Sequence, residues 1–291
     1  MESRKIQRTG GSTYTVSLPK NWIEGRIEEG EEVFLFQKGD DIQISFQETR
    51  KEEKTATLET SSDFEVTKRR LVALYLNGVD RIIVRNNQGT ELQEYIRNNL
   101  IGMEIVKVDA DKMELRNLFR HSEIPAENGL RRMTSIIRSM MRDLAENQDT
   151  GDIAEREELL DRYYLLELRQ LQMSLSDPEF RDEIGLESAI QAMEYRVIAK
   201  SMERIGDHLV TISRCKDKTL KEVSEMKQIF DKLSRAIFEA DSDKIEECIS
   251  SVDQVEIREA RSEELRRSLR RIKRLILDIS EASINYSISR D

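Results

Sequence analysis

Two pairs of carboxylates carry the clearest chemical signal in this sequence: Glu157 with Asp161, and Glu203 with Asp207, four residues apart in each case. On a helix that spacing puts both acids of a pair on one face. Like charges placed this way destabilise a helix by about 0.2–0.5 kcal/mol per pair, so two pairs on packed helices invite a compensating cation. Four carboxylates without nearby cysteine would make a hard oxygen-donor site suited to magnesium, calcium, manganese or iron. The alternative is that the acids are solvated, or paired with Arg162, Arg204 and other arginines. Placement favours the cation. Glu203 and Asp207 flank the apolar stripe through Met202, Ile205 and Leu209. Gly206 between them costs about 1 kcal/mol relative to alanine in a helix, and is easiest to understand if something approaches the backbone closely.

Other chemistry is sparse. His208 sits beside the second acidic pair but points about 100° away from Asp207 around the helix, which marks a surface or boundary residue. His121 stands in the segment that enters the helical region. With two histidines and neither in a nucleophile motif, no Ser-His-Asp or Cys-His set can be assembled. Cys215 and Cys248 lack CxxC spacing and read as packing residues. No GxGxxG or GxxxxGK[ST] loop occurs, so a nucleotide site is not indicated. Enzymatic activity is therefore not expected.

The elements that must position the acids follow from pattern. A chain of 291 residues predicts two or three domains. Residues 1–47 alternate like strands: Tyr14, Val16 and Leu18, then Val33, Leu35, Ile42, Ile44 and Phe46 around a KGDD turn. So small a unit buries little surface alone, and without disulfides or a metal cluster dimerisation is the remaining route to stability. Residues 48–121 predict a βαβαβ alternation: a strand near TATLET, a helix from Phe64 to Leu76, a strand at RIIVR, a helix from Glu91 to Leu100 and a strand at EIVKV. From 122 to 291 the period is helical. Pro19, Pro125 and Pro178 are the three prolines, so long helices are permitted.

Six helices are expected there. The first carries Met133, Ile136, Ile137, Met140, Met141 and Leu144; the second Leu159, Leu160, Tyr163, Leu166 and Leu168; the third Ile190, Met193, Val197, Ile198, Met202, Ile205, Leu209 and Ile212. Three more span about 219–240, about 243–260 and a last segment through Leu265, Leu269, Ile272, Ile276 and Ile279. SMERIGDHLVTIS laid on SLRRIKRLILDIS aligns Met202 with Leu269, Ile205 with Ile272 and Leu209 with Ile276. Met140 matches Ala236 and Glu157 matches Asp253 in the same way, which points to two three-helix repeats.

The segment ERIGDHLVTI, with EELLD one helix earlier and the duplicated plan, resembles the PhoU family of phosphate-uptake regulators over roughly residues 122–291. In that family E/DxxxD motifs bind metal, and the resemblance carries this role to Glu157, Asp161, Glu203 and Asp207, with iron, magnesium, manganese or zinc as the cofactor. The segment RKIQRTGGSTYTVSLPKNWIEGRIEEGEEVFLF resembles the AbrB/SpoVT swapped-hairpin domain, with Gly10 and Gly11 in a tight loop before the first strand. That likeness implies an interleaved homodimer and DNA contacts from Arg4, Lys5, Arg8 and Lys20. The alternative for these basic residues is a solvated face, and Glu24, Glu28, Glu29, Glu31 and Glu32 oppose phosphate binding unless they face away.

The fold expected is thus multidomain α+β: a swapped-hairpin β-domain, a small βαβαβ middle segment and a PhoU-like six-helix bundle. Two readings of function follow, a dimeric DNA-binding regulator of phosphate uptake and an adaptor that docks on a phosphate transporter or sensor kinase. No run of roughly 18 apolar residues exists and MESRKIQRTGG carries no apolar stretch of a secretory signal, so a cytoplasmic location is expected. The net charge of -10 argues against indiscriminate coating of nucleic acid. In the second repeat Asp253, Ile257, Arg270 and Arg274 stand at the four acid positions. Metal is accordingly expected in the first half only, with Arg270 or Arg274 paired to Asp253 or Glu256 in the second.

Overall fold

The computed structural model describes residues 2–38, 41–46, 53–86, 89–119, 123–146, 152–215, 220–257, 260 and 262–288. Its contacts divide the chain into two units, Met1–Glu52 and Glu53–Asp291. The first unit holds two antiparallel hairpins. Strand β1 (Gln7–Thr9) pairs with β2 (Thr13–Thr15), and β3 (Phe34–Lys38) pairs with β4 (Asp41–Ser45), Leu35 opposite Ile44. Between them Pro19 leads into the short helix α1 (Lys20–Ile23). Gly10, at φ 72°, turns the first hairpin. The Gly10-Gly11 loop therefore joins two strands and does not precede the first one, because the polar run Gln7–Thr9 also pairs. Gly39 and Asp40 of the second turn lie outside the described residues.

No described residue of this unit belongs to a hydrophobic core. Tyr14 is 69% and Ile42 72% exposed, and Val16, Leu35 and Trp22 also lie open.

The second unit begins with a four-stranded sheet. Strands β5 (Thr55–Glu59) and β6 (Arg81–Arg85) run parallel, joined by helix α2 (Phe64–Leu76). Helix α3 (Thr90–Asn99) leads to β7 (Met103–Val108), which turns back into β8 (Lys112–Asn117). The sheet order is β5-β6-β8-β7, with β8 antiparallel to both neighbours. The expected βαβαβ is thus βαβαββ. The added strand buries Met113 and Leu115, and on its other face Glu114 is held by Arg81 Nε at 2.9 Å and Arg116 Nε at 3.1 Å. Asp63 caps α2 by accepting from the Glu65 amide at 2.9 Å.

The helical region comprises α4 (Ala126–Ala145), α5 (Ile153–Ser176), α6 (Pro178–Glu183), α7 (Ala189–Arg214), α8 (Leu220–Glu239), α9 (Ser242–Gln254) and α10 (Glu263–Ile288). Six long helices stand where six were expected. Helix α6 is an addition: Asp177 caps it and Pro178 fills its first turn, where a missing N–H costs nothing. Helix α9 stops at Gln254, short of the expected 260. Helix α5 packs on α4 and α7 as α9 packs on α8 and α10, while α4 meets α8 and α7 meets α10. That is the contact plan of a duplicated three-helix unit. One expected core stripe differs in part: Ile190, Met193 and Val197 are exposed, Ala192 and Tyr195 face the interior instead, and Ile198 is buried as expected.

Helix α5 fastens the sheet to the bundle. Leu165 joins the sheet's core, and Met173 lies against Gly78, where an added Cβ would stand 2.9 Å from its Sδ. The buried Arg169 guanidinium donates to the carbonyls of Tyr75 and Val79 and lies 3.6 Å from Asp80, over the Tyr75 ring. A cation at these carbonyls complements the negative end of α2.

Candidate metal centre

Glu157 and Asp161 on α5 lie close enough to Glu203 and Asp207 on α7 to interact electrostatically where the two helices cross. A Cβ on Gly206 would lie 2.5 Å from Leu160 Cδ2 and 3.8 Å from Glu157 Cγ. The glycine therefore admits the neighbouring helix, and what approaches its backbone is Leu160. Glu157 faces Asp207 across this crossing. Burial, then the charges of Asp161 and Asp207, pushes Glu157 up to about 7. Burial, then Glu203 and Asp207, pushes Asp161 up to about 6, against the pull of Lys200. Asp161 Oδ1 is buried without a hydrogen-bond partner.

Three groups outside any motif border this cluster. Lys200 Nζ reaches Glu203 Oε2 at 2.8 Å and lies over the Tyr164 ring at 4.9 Å. Tyr95, from α3 of the sheet, is raised first by burial and then by Asp161. Lys200 could have been found from its i,i+3 spacing to Glu203; Tyr95 could not, because no local spacing links α3 to α5. His208 is half-buried at the boundary, as expected. Burial lowers its pKa, Asp207 opposes this, and Arg271 and Arg204 add to it. His121 lies outside the described residues.

Comparison with known families places this crossing in context. A PhoU domain family model matches residues 130–215, from α4 through α7. Residues 130–215 are similar to the PhoU domain. The match spans the first of the two three-helix sets, the one that holds all four acids. Residues 7–54 match the MazE family, described as antidote-toxin recognition, bacterial antitoxin. No curated protein and no solved structure matches the chain.

Within the matched region the donor set suits a hard cation: all four side chains are oxygen donors, one acceptor is orphaned, and the group repels itself. Among the described residues no three carboxylate, histidine or cysteine side chains converge as metal ligands would. The acids form an electrostatically loaded cluster rather than a finished cage, with Glu203 turned to Lys200.

In the second set the cation differs from the one expected. Arg274 pairs with Asp278 at 3.1 Å, not with Asp253 or Glu256. Lys273, in register with Gly206, donates to the carbonyls of Asp253 at 2.9 Å and Val255 at 3.2 Å. Helix α9 ends at that point, so its free carbonyls, and not its acids, take the charge.

In the MazE-like unit Arg4, Lys5, Arg8 and Lys20 are all exposed. Arg4 pairs with Glu2 at 2.7 Å and Lys20 with Glu24 at 3.5 Å, while Arg8 donates to the Gly11 carbonyl at 2.6 Å. Glu24 thus does not face away from the basic set. Among the described residues no helix is long and apolar enough to cross a membrane.

Proposed function

We propose that the chain is a cytoplasmic, non-enzymatic regulator of phosphate uptake, homodimeric through its MazE-like unit, which binds DNA, with the PhoU domain as a metal-dependent sensor. The observation that carries this reading is the electrostatic coupling of Glu157 and Asp161 to Glu203 and Asp207 inside the PhoU match. These four residues would hold an ion such as iron, magnesium, manganese or zinc. Bound there, the cation supplies the positive charge that lets all four carboxylates ionise together. Dimerisation is supported by the bare apolar residues of the two hairpins.

Metal analysis of the purified chain tests the sensor. Bound metal is expected in the wild type and absent from Glu203→Gln/Asp207→Asn, whereas retention in that variant rejects the site. DNA binding is tested on the chain's own upstream sequence across a salt series. Replacing Arg4, Lys5, Arg8 and Lys20 by alanine should lower the log–log slope by about 0.9 per lost phosphate contact. The ion pairs of Arg4 and Lys20 favour a second reading, in which the unit only dimerises and the bundle docks on a phosphate transporter or sensor kinase. DNA binding unchanged in the four-alanine variant would select it.

A further inference from the structure

The two halves of the bundle differ in charge along corresponding faces of α7 and α10. On α7 the face reads Lys200, Glu203, Arg204, Asp207, and basic and acidic groups offset each other. The same register on α10 reads Arg267, Arg270, Arg271, Arg274. All four arginines are exposed, and with Glu263 they line a groove of about 320 Å³. The Glu263 carboxylate is drawn off by Arg266 at 3.1 Å and Asp278 by Arg274. Among the described residues Arg267, Arg270 and Arg271 have no carboxylate partner. Their i,i+3 and i,i+4 spacings hold like charges against one another, which destabilises the helix unless an anion stands over them.

We propose that this ridge binds a compact soluble polyphosphate, a ligand carrying two or three linked phosphate groups. Length and charge density select that class. Arg267 to Arg274 covers about 10 Å of helix. Each phosphate brings up to about two negative charges and three acceptor oxygens, which guanidinium forks engage bidentately. An acidic peptide would bring one charge per side chain and would have to order each of them. A long nucleic acid would run past the ridge onto a chain of net charge -10, within the reach of its repulsion. The site uses none of the four acids of α5 and α7, so it stands or falls apart from the metal reading.

Calorimetric titration of the full chain with pyrophosphate and triphosphate, with and without chelator, tests the proposal. The wild type should bind one molecule per chain, and Arg267→Gln/Arg271→Gln and Arg270→Gln/Arg274→Gln should each weaken binding by roughly tenfold or more. Glu203→Gln/Asp207→Asn should bind as the wild type does. In the wild type, triphosphate should shield the α10 arginines from phenylglyoxal, a reading that needs no variant to fold. The proposal is overturned by wild-type protein that binds neither probe at millimolar concentration, by arginine variants that bind normally, or by absence of shielding. It is equally overturned if a poly-glutamate peptide or a single-stranded oligonucleotide displaces triphosphate with higher affinity.

Discussion

The two three-helix sets of the bundle share a packing plan and differ in what lies on it. Helices α4 and α8 both run 20 residues, α7 and α10 both 26. These four pack across the duplication, so each is fixed by a counterpart in the other set. The outer helices are under no such constraint, and α5 has 24 residues where α9 has 13. The longer one closes over an acidic crossing and carries the sheet; the shorter one leaves a basic ridge open. Core geometry in a duplicated bundle thus fixes the inner pairs and frees the outer helix to set the chemistry of each half.

The largest way to break this contrast is at Arg169, which has no counterpart in the shortened α9. Arg169→Met should cost about 3 kcal/mol in chemical denaturation, because the carbonyls of Tyr75 and Val79 and the Asp80 carboxylate lose a buried cation. A loss below about 0.5 kcal/mol, the range of ordinary surface substitutions, would show that the joint does not depend on it.

A middle-sized effect concerns pH. Glu157, at about 7, and Asp161, at about 6, are raised above ordinary carboxylate values by burial and by their acidic neighbours. A raised folded pKa means the folded chain holds protons that the unfolded chain has released, so stability is full below about pH 4 and declines as pH rises through 6 to 7. After solvent screening the decline in metal-free protein should be about 1–2 kcal/mol. Thermal melts from pH 4.5 to 8, flattened by Glu157→Gln and unaltered by Asp253→Asn, would sharpen the asymmetry. A profile rising toward pH 8 contradicts it.

The smallest effect lies in the second set. Lys273→Met removes the cation from the last carbonyls of α9 and should cost about 0.5–1 kcal/mol. Faster amide exchange across the end of α9 should accompany it, and unaltered exchange there would remove Lys273 from its capping role.

Much of this arrangement was legible from residues alone, and the exceptions have physical causes. Helix α2 and strand β6 fall on the expected residues, since the Asp63 cap starts one and the Gly78 turn separates them. Strand β8 was hidden because Met113 and Leu115 stand between charged neighbours, whose pairing through Glu114 exists only once the sheet forms. Strand β1 was hidden because QRT has no apolar alternation. The stripe Ile190, Met193 and Val197 read as core because period alone does not say which face a partner covers. The acidic pairs were legible because helix geometry fixes i,i+4 neighbours. That Lys273 replaces Arg270 or Arg274 was not, because it depends on where α9 ends.

The joint made by α5 also bears on the order of synthesis. Strands β5 to β8 are complete once Asn117 has been made, yet Leu165, Arg169 and Met173 follow dozens of residues later. Until then the sheet emerges from the ribosome with one flank of its core and the carboxyl end of α2 bare, so its folding is tied to the arrival of a helix from the bundle. Nascent chains halted just past Glu146 should show a protease-sensitive sheet, and chains halted well past Ser176, with α5 clear of the exit tunnel, a protected one. The sheet and the bundle, separate in pattern, are in that sense a single act of folding.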